Sequence, residues 1–443
     1  MVRGERRVNK NPAIKTFMSA LLVLVGMLFM TGMLTQIVPG ANRSMKWYFA
    51  PVTVLASDSG PLVIAIILFL LIIGGALHVL KATGLIEGVI VATTKKYQDK
   101  EFVLLSVLVL VFMAMGAFVG VFEEVVPLVP LVILLAKGMG WDDMTGLGIS
   151  ILACGLGFAA AVTNPFTIGV AQELADLPLF SGAVLRIFVF ISVYFILLGF
   201  LWRHIKKTRI TVIKHTLTVE NQVQVPKKAY VFFASSMAFM GLFIAGSPFI
   251  PILRDLSLPV IALVFLIAAI GVGKQVKGDF KWVFKQYAIG AFDMAPAIVL
   301  ILLATGIKHI MMEGHILDYI LSVVSSSISQ FSPFGSVVII FVLVLILNFF
   351  IGSGSAKAFI LMPILVPTMD LLGLGRQLGI LAFQFGDGFS NVLYPTNAVL
   401  LIALGLSGVS YGKWLKFIIP IQVVLFVLSI IWLAIAYQLG YGL

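Results

Sequence analysis

Two short motifs put amide and hydroxyl chemistry beside proline in otherwise apolar stretches: Thr163-Asn164-Pro165 and Pro395-Thr396-Asn397. An asparagine amide both donates and accepts, and threonine adds a hydroxyl. Proline withholds its own N–H and disfavours helical geometry in the residue before it, so a continuous helix across Asn164 is not expected. Backbone groups released by breaking a helix in hydrocarbon must be received by protein or by a water-filled cavity. Half-helix N-termini at such breaks attract carboxylates, and half-helix C-termini coordinate cations through carbonyls. Two breaks together suit a zwitterion. The competing reading is that both amides only satisfy their own loops.

Carboxylates supply the charge. Asp387 lies in FQFGDGFSNVLYPTN, between glycines and just before the second motif, where an unpaired carboxylate is costly. It binds a cationic substrate group, carries a coupling proton or ion, or pairs internally. Asn391 is a polar candidate nearby. Glu123 and Glu124 precede Pro127 and Pro130, and adjacent positions on a helix face differently, so at most one is expected to reach a cavity. The comparable stretch of the other half, GSGSAKAF, carries Ser353, Ser355 and Lys357, with the opposite charge. The serines either coordinate an ion or substrate or permit close helix packing. Lys357 is read as a salt-bridge partner, a snorkelling side chain or a substrate contact. Asp293, beside Pro296, is a further intramembrane carboxylate or a helix cap.

Other chemistries find little support. The one cysteine, Cys154, sits in an apolar glycine-rich stretch and reads as a packing residue. His78, His204, His215, His309 and His315 are dispersed, and the chain has no HExxH, nucleotide-phosphate loop or ATPase signature. No cofactor or metal centre is expected, and the chain does not read as an enzyme. Uphill transport would draw on a Na+ or H+ gradient or on exchange.

The elements that position these residues are membrane spans. The 443 residues are 60% hydrophobic and 11% charged, with 30 basic and 19 acidic side chains, and the mean hydropathy is +1.12. A soluble chain carries about a quarter charged residues. The net charge of +11 is not a nucleic-acid signal, because the basic residues cluster in hydrophilic breaks at 1–16, 81–101, 202–229 and 274–285 and at Lys413 and Lys416. That distribution marks cytoplasmic sides. Spans are expected near 17–38 (an uncleaved first helix), 61–80, 102–120, 123–137, 181–202, 230–247, 258–273, 286–306, 335–352, 355–371 and 414–437. Broken segments occupy 144–177 and 376–407, and 307–333 forms an external segment with Lys308, His309, Glu313, His315 and a serine cluster. This divides the chain into a cytoplasmic tail (1–16), an N-terminal half (17–201), a cytoplasmic linker (202–229) and a C-terminal half (230–443), with the N-terminus cytoplasmic and the C-terminus external.

The halves echo each other. GALHVLKATGLIEGVI at 75–90 parallels ILLATGIKHIMMEGHI at 301–316, each read as a span ending at a Thr-Gly turn, and FVG at 118–120 parallels FIG at 350–352. Gly155-Leu156-Gly157-Phe158 parallels Gly386-Asp387-Gly388-Phe389. Gly120 precedes Asn164 by 44 residues, and Gly352 precedes Asn397 by 45. Span counting points equivalent elements in opposite directions. The expected fold is an all-α polytopic membrane protein with two inverted repeats and broken helices or re-entrant hairpins, and breaks in register are the sequence mark of a secondary transporter's site.

TNPFTIGVAQELADLPLFSG, GSGSAKAFILMPILVP and FGDGFSNVLYPTN, with the paired Gly-x-Gly-Phe stretches, resemble the YfcC-like family of membrane transporters over nearly the whole chain. That family is related to arginine/ornithine exchangers and anaerobic C4-dicarboxylate carriers in the ion transporter superfamily. The resemblance implies a bacterial inner-membrane secondary carrier with inverted repeats, re-entrant hairpins and a homodimeric scaffold. In the related dicarboxylate carriers, Ser-Asn-Thr motifs at hairpin tips bind substrate and sodium; the matching positions here read Val162-Thr163-Asn164-Pro165 and Pro395-Thr396-Asn397, without that order. The leading expectation is exchange or ion-coupled transport of an amino acid, most readily a cationic one, through Thr163, Asn164, Pro165, Asp387, Asn391, Thr396, Asn397, Glu123, Glu124, Ser353 and Ser355. The alternatives are a C4-dicarboxylate carrier and a membrane scaffold without transport.

Overall fold

The computed structural model describes residues 12–208, 225–246, 250, 256–317, 319–320 and 331–442. Most of the expected tail, most of the 202–229 linker and the serine cluster within 307–333 lie outside the described residues. Those described form helices and connections without a strand. Among the described residues, eight helical segments are long and apolar enough to cross a membrane, and the protein is a multi-pass membrane protein.

Helix α1 (Pro12–Ile37) leads through a short helical loop, Trp47–Ala56, into α2 (Gly60–Ala82). Thr83 and Gly84 (φ 76°) end α2 in a turn, and α3 (Leu85–Tyr97) follows with Lys95 and Lys96 in its last turn, where they complement the helix dipole. Next come α4 (Glu101–Val119), a tight turn of helix at Glu123–Leu128 and α5 (Val129–Gly138), then α6 (Asp143–Ala159). The chain breaks at 160–164, re-enters helix through Pro165–Gly169 into the short α7 (Val170–Leu174), and returns along α8 (Ala183–Thr208).

The second half runs α9 (Lys227–Gly246), α10 (Ser257–Lys277), α11 (Phe280–Phe292), α12 (Ala295–Glu313), α13 (Pro333–Asn348), α14 (Gly354–Leu371) and α15 (Arg376–Phe389). A second break at 390–397 precedes α16 (Ala398–Ser407), and α17 (Tyr411–Gln438) closes the fold. The order long helix, entry helix, helix, break, short helix, long helix thus occurs twice, from α4 to α8 and from α13 to α17.

Packing follows the same order. Helix α6 lies on α4 as α15 lies on α13, and α6 and α15 meet at the centre. Glycines permit both contacts: a methyl on Gly388 of α15 would sit 2.2 Å from Ala159 Cα of α6, and one on Gly157 of α6 would sit 2.0 Å from the Met113 carbonyl oxygen of α4. Each entry helix leans on the other half's short helix, α5 on α16 and α14 on α7.

One expected boundary differs. The Thr305-Gly306-Ile307 sequence does not end a span, because α12 continues to Glu313. Thr305 Oγ1 donates back to the Ile301 carbonyl at 2.8 Å, and Gly306 serves close packing, since a methyl there would lie 2.8 Å from Pro51 N. Lys308, His309 and Glu313 therefore belong to α12 and not to a separate segment after it. Asp293 stands in the turn between α11 and α12, exposed, with Oδ2 3.9 Å from His78 Nδ1.

Candidate substrate site

The two breaks are built alike. Thr163 Oγ1 donates to the Phe118 carbonyl at 3.1 Å and Thr396 Oγ1 to the Phe349 carbonyl at 2.5 Å, so each threonine ties its break to the end of the long helix before it. Asn164 Oδ1 accepts from Phe166 N at 2.8 Å, and Asn397 Oδ1 accepts from Leu400 N at 3.2 Å. Each asparagine thus caps the short helix after its break, satisfying an amide that a helix start leaves open. Gly120 (φ 80°) is required beside the first break, because a side chain would come within 2.3 Å of Asn164 Oδ1.

Long side chains receive the freed carbonyls. Arg186, 2% exposed on α8, donates through Nη2 to the Val162 carbonyl at 3.0 Å and through Nη1 to Ser181 O at 2.8 Å and Tyr441 Oη at 3.1 Å. Gln384 Nε2 reaches the Phe158 carbonyl at 2.7 Å. At the second break, Gln422 donates to Phe389 O at 3.0 Å, Trp414 to Val392 O at 2.8 Å and Tyr411 to Leu393 O at 2.8 Å. Irregular backbone is tolerated here because protein donors replace the missing helix partners.

A cavity of about 560 Å3 lies where the two halves meet. Its walls come from α2, the 120–126 turn, α12, the start of α14 and the second break, with Thr167 contributing from the first. Apolar side chains including Ile66, Phe69, Phe122, Phe166 and Phe350 supply much of its surface. Glu123 projects into it and is solvent-accessible, whereas Glu124 is 7% exposed and accepts from Phe122 N at 3.2 Å. Ser353 and Ser355 stand 3.3 Å apart on the wall, and Ser353 caps α14. Asn391 and Asn397 line the cavity, joined by a 3.3 Å hydrogen bond.

Other sequence candidates stand behind the wall. Asn164 is fully buried. Thr163, Pro165 and Thr396 hold the breaks but are not among the lining residues. Asp387 is also fully buried and forms an ion pair with the equally buried Lys357, so of its three readings the geometry displays internal pairing and offers no direct face to the cavity. The reason is packing: α14 starts at Gly354, and a methyl there would sit 2.5 Å from Thr167 Cγ2 and 3.0 Å from Asp387 Oδ2, which draws Lys357 onto α15.

Asn348 completes this cluster. It accepts from Lys357 Nζ, and its Nδ2 lies 2.8 Å from the Asp387 carbonyl, 2.7 Å from Ser390 Oγ and 3.0 Å from Asn391 Oδ1. A polar chain therefore runs from the buried Asp387–Lys357 pair through Asn348 and Asn391 to Asn397 at the cavity. Sequence reasoning missed Asn348, Arg186 and the placement of Lys308. Each is a polar side chain inside an apolar run, the signal that marks an intramembrane residue for notice.

Over residues 17–438 the sequence matches the family described as DcuC, C4-dicarboxylate anaerobic carrier. It is 30% identical over 404 residues, 85% of this chain and 78% of the relative, to the Escherichia coli K12 protein named "Putative basic amino acid antiporter YfcC". A Haemophilus influenzae Rd protein is 24% identical over 369 residues, covering 80% of this chain and 72% of its own. Among solved structures, the Alcanivorax borkumensis YdaH transporter aligns over 96% of this chain and 99% of its own at a TM-score of 0.44 and 18% identity. The chain is a membrane transporter, not an enzyme, and it belongs to the DcuC family of C4-dicarboxylate anaerobic carriers.

Proposed function

We propose that the protein is a secondary carrier of a cationic amino acid, of the arginine, lysine or ornithine type, working by exchange or ion-coupled alternating access. The observation that carries this reading is the accessible Glu123 carboxylate in a largely apolar cavity beside the second break. A carboxylate in such surroundings has strong reason to take a cationic partner, since water is displaced when the cavity fills. Ser353, Ser355, Asn391 and Asn397 offer hydroxyls and amides to the polar remainder of the substrate. Glu124, Thr163, Asn164, Pro165, Thr396 and Asp387 act as positioning residues that shape the two breaks. The YfcC relative's name, which speaks of basic amino acid antiport, supports the substrate class.

The duplicated order of helices and breaks supports two repeats of opposite orientation, which move against each other around the cavity. Basic-residue placement and the family resemblance support an inner-membrane carrier with its N-terminus inside and C-terminus outside, acting as a homodimer. A second reading, a C4-dicarboxylate carrier, draws on the family description and on the helix N-termini of α14 and α16 at the cavity. Uptake into proteoliposomes decides between them, using cationic, neutral and acidic amino acids and dicarboxylates, with and without Na+ gradients, H+ gradients and internal substrate. Saturable uptake of cationic amino acids is expected; strong dicarboxylate uptake without it would refute the first reading.

A further inference from the structure

A positive group also belongs to this cavity, and nothing in the sequence singled it out as part of the site. Lys308 lies on α12, about one and a half turns before that helix ends at Glu313, and its side chain lines the cavity together with Glu123. The ammonium packs against the FIG end of the α13 segment, where a methyl on Gly352 would come within 2.6 Å of Nζ. Glycine at 352 therefore keeps room for this ammonium. Gly352 is followed directly by Ser353 and the start of α14, whose first residues line the same space. Glu123 and Lys308 both line the cavity and are within electrostatic reach of each other.

We propose that Lys308 reads the carboxylate of the transported substrate, beside the start of α14. The inference rests on the reading of the cavity as the substrate site and sharpens it. A free α-amino acid with a cationic side chain carries a carboxylate at one end and a cation at the other, the two charges that Lys308 and Glu123 complement. A diamine or other decarboxylated cation has nothing for Lys308 and leaves its charge uncompensated. Selection against such amines is then a property of this one side chain. Gly352 is a positioning residue, acting through the ammonium it accommodates.

The test measures uptake of arginine, of its decarboxylated analogue agmatine and of succinate by the parent, Lys308→Gln, Lys308→Arg and Gly352→Ala, each checked for monodispersity after purification. The parent should prefer arginine over agmatine. In Lys308→Gln, arginine uptake should fall at least tenfold and the preference should collapse, while Lys308→Arg retains it. Gly352→Ala, with both charged residues intact, should weaken arginine several-fold and leave agmatine unchanged. An arginine-to-agmatine ratio that stays at the parent value in Lys308→Gln overturns the inference and leaves the cationic reading standing. If the parent carries succinate and not arginine, the cationic reading falls, and Lys308 is judged on succinate: loss in Lys308→Gln supports the carboxylate role and unchanged uptake overturns it. A parent that carries neither overturns both.

Discussion

The two breaks use the same devices, yet they dispose of charge in opposite ways. In the first half the entry segment presents Glu123 to the cavity, and the break behind it is sealed, with Asn164 fully buried and the Val162 carbonyl held by Arg186. In the second half the entry helix turns its charge inward, Lys357 against Asp387, while the break opens onto the cavity through Asn391 and Asn397. Similar motifs have thus been divided between holding the protein together and facing its contents. A conserved shape of backbone does not fix which role its polar side chains take; the partner available behind each one does.

The largest effect should come from separating the buried pair. Asp387→Asn leaves the buried Lys357 ammonium without the counter-charge it pairs with, and breaking one member of a buried ion pair costs about 3–5 kcal/mol. Thermal unfolding in detergent should reveal this as a large loss. The double substitution Lys357→Met with Asp387→Asn should recover a substantial part, and no recovery would mean that Asp387 serves something other than Lys357.

Arg186→Met probes the sealed break. Its guanidinium satisfies carbonyls of Val162, Phe180 and Ser181, and each buried acceptor left open costs about 1–3 kcal/mol. Loss of stability is expected, with arginine affinity changed little once folded protein is selected; a selective loss of affinity would move the first break into the binding surface.

The two asparagines sharpen the contrast further. Asn397→Ala should weaken substrate binding about tenfold, equivalent to about 1.4 kcal/mol. Asn164→Ala should cost mainly its helix cap, about 1 kcal/mol of stability, and affect affinity far less. Equal losses of affinity on calorimetric titration would erase the distinction between the breaks.

The smallest effect lies away from both. Asp142 caps α6 through Thr145 N at 2.9 Å and meets His204 Nε2 at 2.9 Å. Burial works to raise its carboxyl, but the hydrogen bonds from His204 and Thr145 prevail and hold it below the usual carboxylate value. A carboxyl depressed by folding contributes stability that is present above its unfolded value, about 3.9, and is lost as pH falls through the folded one. His204→Gln should therefore move the onset of acid destabilisation to higher pH, read by unfolding between pH 6 and pH 3. An unchanged onset would assign the depression to Thr145 alone.

The sequence made the broad architecture legible through long apolar runs, and the breaks through proline next to asparagine. It also placed the carboxylates near the site. Contacts between distant segments were not legible: nothing in GSGSAKAF says that Lys357 will reach α15, because that depends on how closely Gly354 lets α14 approach Thr167 and Asp387. Lys308 was misplaced for a related reason. Thr305-Gly306 reads locally as a turn, and only the Pro51 backbone packed against Gly306 explains a glycine in a helix that continues.

In the proposed site, Glu123 meets the transported cation while the buried charges of the second half, Lys357 and Asp387, neutralise each other. Exchange of labelled arginine into arginine-loaded proteoliposomes tests it most directly, comparing Glu123→Gln with the double Lys357→Met and Asp387→Asn variant. Glu123→Gln should reduce exchange roughly a hundredfold, about 2.7 kcal/mol, while the double variant stays within about tenfold of the parent. Exchange that survives in Glu123→Gln but vanishes in a well-folded double variant would move the cation site from Glu123 to Asp387.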